Sequence, residues 1–202
     1  MKKYLIKYLI LILLMSSGCS LDLKTKDLAK TALNGQSISL INHYFDLSYV
    51  ENHAIAFGLL NSIDRNIRIP LIFLLTISAT LCVLYMIWRI RDKNFRFLLP
   101  FFIILGGAYG NIIDRMFNGF VTDFFHVHYF YKYNFPVFNV ADVLVNIGVI
   151  LILIQWNSIE KKVPIPFPDF TKGKWQTNHP SLFCIGHVIF YVKTIPMDKT
   201  NE

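Results

Sequence analysis

Four long apolar runs constrain this chain more than any other feature of its sequence: about Tyr4 to Leu21, Ile69 to Trp88, Phe97 to Phe117 and Phe138 to Trp156. Each approaches the ~20 residues that a helix needs to cross the roughly 30 Å hydrocarbon layer, the fourth being a little short. A soluble domain spreads its apolar residues at the helix or strand period, whereas here they are gathered into blocks. With 54% apolar and 15% aromatic residues, the chain is also richer in both than soluble domains usually are. The expected class is an all-α membrane protein, a four-helix transmembrane bundle.

Charge at the flanks of the runs sets the expected orientation, because lysine and arginine are retained on the cytoplasmic side. Lys2, Lys3 and Lys7 precede the first run, Arg89, Arg91, Lys93 and Arg96 crowd the second connection, and Lys161 and Lys162 follow the fourth run. Both termini are expected on the cytoplasmic side of the membrane. Lys24, Lys26 and Lys30 count against this, but they open a long exported segment, and the short second connection weighs more. The net charge of +7 therefore reports topology and attraction to anionic membrane lipid. It forms no basic stripe, which excludes nucleic acid as a partner.

Between the runs, Asp22 to Arg68 is expected to be exported, polar at first and then alternating through Ser37 to Ile41 and Tyr44 to Val50. Alternation at a period of two predicts short strands, forming a small cradle on the helix ends. The connection from Gly119 to Pro136 is crowded with Phe124, Phe125, Tyr129, Phe130, Tyr131, Tyr133 and Phe135, a composition suited to the headgroup level of a bilayer. Gly106 and Gly110 strip side chains from one face of the third run, so that a neighbouring helix can approach closely. Division of the chain is expected near residue 162, with residues 1–162 forming the membrane domain and 163–202 a cytoplasmic tail without an assigned role.

Cys19, Cys82 and Cys184 are scattered and outline no disulfide framework. Ser16-Ser17-Gly18-Cys19 after a basic start has the outline of a lipoprotein signal ending at a cysteine. Ser16 stands where an aliphatic residue is usual and three more apolar runs follow, so a retained first helix is the expectation.

The chemistry lies in carboxylates at membrane depth. Asp114, Asp123 and Asp142 fall at or near the outer ends of the third and fourth runs, where burying an ionised group costs up to ~2.5–3.5 kcal/mol. A hairpin joining those runs delivers Asp123 and Asp142 to the same side of the membrane. Two carboxylates sharing one proton supply a general acid beside a general base, the device of aspartic peptidases. Asn111, Arg115 and Asn139 surround them in sequence. A blander reading stands beside this one, in which Asp114 and Arg115 anchor a helix end and Asn52, Asn111 and Asn139 satisfy backbone groups. His126 and His128 share one strand face and, with Asp123, form the outline of a metal site, set aside because a fourth ligand at a familiar spacing is missing.

These stretches resemble the lipoprotein signal peptidases, also called signal peptidase II. Gly110-Asn111-Ile112-Ile113-Asp114-Arg115 followed by Gly119-Phe120-Val121-Thr122-Asp123-Phe124 is similar to that family's third-span signature, and Phe138-Asn139-Val140-Ala141-Asp142 with Gly148 to its fourth-span signature. Asn52-His53-Ala54-Ile55-Ala56-Phe57 resembles its exported motif, with Ala54 where glycine is usual, and Asp22 to Lys26 its Asp-to-Lys element. The resemblance runs from about Met1 to Trp156. It implies a bundle with an exported β-cradle and a membrane aspartic endopeptidase that needs no metal or organic cofactor. The implied catalytic pair is Asp123 and Asp142, with Asn52, Asn111, Asp114, Arg115 and Asn139 positioning substrate and Asp22 and Lys26 supporting structure. The implied substrate is a prolipoprotein whose cysteine already bears diacylglycerol, cut on the N-terminal side of that cysteine. The competing reading is a small multi-span transporter or ion-conducting protein with carboxylates along a pathway.

Overall fold

The computed structural model describes residues 2–33, 36–53 and 64–160. In chain order these form α1 (Lys2–Leu33), β1 (Ser37–Ile41), β2 (Phe45–Asn52), α2 (Arg65–Arg89), α3 (Phe95–Asn118), β3 (Val121–Tyr129), β4 (Tyr133–Asn134) and α4 (Val140–Glu160). Three helices, α1, α2 and α3, are long and apolar enough to cross a membrane, and α4 adds a shorter apolar helix over Val140–Gln155. The strands make one antiparallel sheet in the order β1-β2-β3-β4. This is the expected class, four helices with a small open sheet.

One boundary differs. The segment after Leu21, where the apolar run ends and the expected exported part begins, continues as helix to Leu33. Asp22 and Lys26 explain why. Their side chains lie on the helix face turned toward α3 and α4, where each finds a polar partner, so the helix need not end where the hydrophobicity does.

The helix α3 is the hub. Phe97, Leu98, Phe101, Phe102 and Leu105 are buried on it, while Leu5, Ile6, Leu9 and Leu13 of α1 and Leu74, Leu75 and Leu81 of α2 stay exposed. Apolar side chains in such number facing outward require hydrocarbon around them. The glycines of α3 set the depth of packing. A methyl group on Gly106 would sit 2.9 Å from the carbonyl oxygen of Met15 in α1, and one on Gly107 would collide with the carbonyl of Ala141 in α4. On the opposite side, Gly148 of α4 meets Ile104 and the Pro100 carbonyl. Small residues let three backbones close on one another, the packing mode available where no water drives helices together.

The two ends of the bundle differ in kind. At one, Lys7 donates to the carbonyls of Arg91 and Lys93 at 2.8 and 3.1 Å, and Tyr8 to that of Arg91 at 2.9 Å. This ties the start of α1 to the turn between α2 and α3. At the other end stand the sheet and the buried carboxylates. Neither Cys19 nor Cys82 is joined in a disulfide among the described residues. The tail from residue 161, with Cys184, and most of the Asn52 to Phe57 motif, including Ala54, lie outside the described residues.

Candidate active site

The site begins with how α4 starts. Asn139 is its N-cap, and the Asn139 side-chain oxygen accepts the backbone N–H of Asp142 at 3.0 Å. Asp142 answers, its Oδ2 accepting the backbone N–H of Asn139 at 3.1 Å. This reciprocal pair is a capping box, which satisfies two of the N–H groups that a helix start leaves open. Asp142 therefore sits in the first turn of α4, at the mouth of the helix.

Asp123 arrives from a different element, near the start of β3, and is 2% exposed. Its Oδ1 accepts the Asn139 side-chain amide at 2.6 Å, and its Oδ2 accepts the Asn52 amide at 2.8 Å from the end of β2. The two aspartates are thus joined through one residue: Asn139 holds Asp123 with its side chain and Asp142 with its backbone. Asn111 of α3 closes the ring, donating to Asp142 Oδ1 at 3.0 Å and accepting from Asn139 at 3.2 Å.

Burial, the largest influence, raises the pKa of the Asp123 carboxyl, and the charge of Asp142 adds to it; against hydrogen bonds from Asn52 and Asn139 and the charge of Lys26, the result is about 6. A carboxyl titrating there exchanges its proton near neutral pH, the property needed of a general acid.

A second set of carboxylates lies just behind. Lys26 is 2.7 Å from Asp22 and 3.5 Å from Asp114, and donates to the Asn111 oxygen at 2.8 Å. Asp22 accepts the backbone N–H of Ala141 at 2.7 Å, a further cap on α4. Gly110 is what admits Asp22, for a Cβ there would overlap its carboxylate. Asp114 accepts the backbone N–H of Thr122 at 2.7 Å and the amide of Asn118 at 2.5 Å, which fixes the turn from α3 into β3. That turn passes through Gly119, whose φ of 80° is the left-handed conformation glycine adopts without strain.

The structure thus gathers Asn52, Asn111, Asp123, Asn139 and Asp142 in one network, with Asp22, Lys26 and Asp114 supporting it. Arg115 feels the charges of Asp123, Asp142 and Asp114 and lines a small cleft with Asn52, His53, Ile72 and Phe73. Sequence reading missed Asp46, which is buried at 5% exposure against His128. The metal outline of His126 and His128 with Asp123 is also corrected, because the two-residue period of β3 turns Asp123 to the other face and Asp46 stands beside the histidines instead.

Residues 14–157 match the family model described as signal peptidase (SPase) II. A lipoprotein signal peptidase of Clostridium tetani is 38% identical over 146 residues, covering 71% of this chain and 89% of that protein. One of Chlorobium phaeobacteroides is 38% identical over 147 residues, covering 68% and 89%. A bacterial membrane enzyme solved by the in meso method matches with a TM-score of 0.63 at 29% identity, covering 76% of this chain and 90% of that one.

Proposed function

The chain belongs to the signal peptidase II family, aspartic-type peptidases of the bacterial inner membrane that process lipoproteins, and from that premise we propose that Asp123 and Asp142 are its catalytic pair. One observation carries the proposal: a single residue, Asn139, holds both carboxylates.

Asp123, with its pKa raised to about 6, is the member that keeps the proton. Asp142 is held as acceptor by the Asn139 backbone N–H and the Asn111 amide, and it takes a proton from water as the water attacks the scissile carbonyl. Asp123 donates a hydrogen bond to that carbonyl oxygen, and the proton gained by Asp142 passes to the leaving amine as the tetrahedral intermediate collapses. Asn52, Asn111 and Asn139 orient the carboxylates through their amides. Arg115, on the wall of the cleft, supplies a fixed positive charge for the peptide. Asp114, with both oxygens engaged, contributes by holding β3 in place.

The substrate we assign is a prolipoprotein with diacylglyceryl-cysteine, cut on the N-terminal side of that cysteine. A site at the bundle end lets acyl chains stay in lipid while the peptide crosses the carboxylates. The Lys7 end, rich in cations, is the cytoplasmic one, so the carboxylates face the exported side. The test is cleavage of a diacylglyceryl-modified lipobox peptide by the purified protein in detergent. Wild type cleaves it before the modified cysteine, and Asp123→Asn and Asp142→Asn do not while remaining folded. Turnover retained in either variant overturns the assignment.

A further inference from the structure

The strand pair β2 and β3 carries a second cluster of titratable side chains that the peptidase chemistry does not use. Asp46 and His126 are direct cross-strand partners, and His128 follows on the same face of β3. Asp46 Oδ2 lies 3.0 Å from His128 Nε2, and donor atoms from all three residues fall within 4.8 Å of one another. Asp46 and His128 are 5% and 4% exposed, yet Asp46 Oδ1 and His128 Nδ1 have no hydrogen-bond partner. Three metal-ligating side chains brought together on one sheet face, two of them buried, need an explanation.

Tyr131 completes the surroundings. Its ring stacks on His128 with centroids 4.0 Å apart and 21° between planes, and its hydroxyl donates to Asp46 Oδ2 at 3.2 Å. The turn that returns it to the sheet runs through Phe130 and Tyr131 at φ 48° and 56°, a left-handed conformation unfavourable for such side chains. The fold accepts that strain in a turn that brings Tyr131 onto the Asp46 and His128 pair.

We propose that Asp46, His126 and His128 bind a divalent transition-metal ion of the Zn²⁺ class, at a site separate from Asp123 and Asp142. Two imidazoles and a carboxylate are a donor set that Zn²⁺ accepts, with a fourth position left for water. Tetrahedral ligands about 2.0–2.1 Å from the metal stand roughly 3.3 Å apart, close to the Asp46 to His128 separation. His126, only half-buried, closes the remaining distance by side-chain rotation and leaves a path for the ion to enter. Bound there, the ion clasps β2 to β3 beyond the register shift between Leu47 and Val50, in the same strand pair whose other end presents Asn52 to Asp123.

The test is metal binding by the full chain in detergent after chelator treatment. Calorimetry should give one Zn²⁺ per chain, and Co²⁺ should give the visible absorption of a tetrahedral site. His126→Gln, a change at a half-buried position, should weaken Zn²⁺ binding by more than about tenfold and abolish the Co²⁺ band. Asp46→Asn should do the same, with its melting profile recorded to separate ligand loss from misfolding. The double variant His179→Gln/His187→Gln should bind as wild type does. Absence of Zn²⁺ binding overturns the site, as does equal affinity in His126→Gln, which would put the ion elsewhere.

Discussion

Two pairs of aspartates stand at the same end of this bundle, and they are held by different kinds of partner. Asp22 and Asp114 share Lys26 and each take a backbone N–H from another element, Ala141 for the first and Thr122 for the second. Asp123 and Asp142 are held by the amides of Asn52, Asn111 and Asn139. An ion pair fixes position through charge, so loss of either charge is felt as lost structure. A neutral amide fixes position with far less preference for one protonation state, leaving a carboxyl free to gain and lose a proton. Asn111 belongs to both sets, with its oxygen on Lys26 and its nitrogen on Asp142.

The strongest way to break this contrast is to neutralise one pair at a time. Asp123→Asn and Asp142→Asn should each lower turnover of the lipidated peptide by about 10² to 10⁴-fold. Their melting behaviour should show no comparable loss, since asparagine at 142 keeps an oxygen for the Asn139 N–H. Lys26→Met should act the other way. It leaves Asp22 and Asp114 buried without their cation, which costs about 3–5 kcal/mol, read by unfolding in detergent, and adding Asp22→Asn should recover part of it. If Lys26→Met keeps full stability and loses only activity, the contrast is wrong.

A change of pH sharpens the comparison. Because Asp123 titrates near 6 instead of the ordinary 3.8, its contribution to stability is full below 3.8 and lost as pH rises through about 6. Asp123→Asn should therefore match wild type in stability at acid pH and exceed it at pH well above 6, by at most about 3 kcal/mol. In wild type, kcat/KM should fall as pH rises through about 6, marking Asp123 as the acid. The smallest effect expected is that of Gly110→Ala, whose Cβ overlaps Asp22: about 1–3 kcal/mol lost on melting. Any fall in turnover should be no larger than the fall in folded protein.

The spans were legible because a bilayer demands contiguous apolar length, and the carboxylates because charge at that depth needs a reason. The strands β1 and β2 were legible from alternation. Their pairing was not, since Asp46 meets His126 across 80 residues of sequence and no local pattern reports such a contact. The helical continuation from Asp22 to Leu33 was hidden for a related reason: polar residues in a row read as a loop until their partners on α3 and α4 are known. By contrast, Asn139 three residues before Asp142 could have been read as a capping signature from the sequence alone.

Because Asp142 belongs to the motif that begins α4, the carboxyl proposed as catalytic and the first turn of the helix share one address. Residues inserted or deleted before Asn139 would displace both together and part them from Asp123. A change in the length of this helix to suit a thicker or thinner membrane is therefore excluded at its first turn and left to its far terminus.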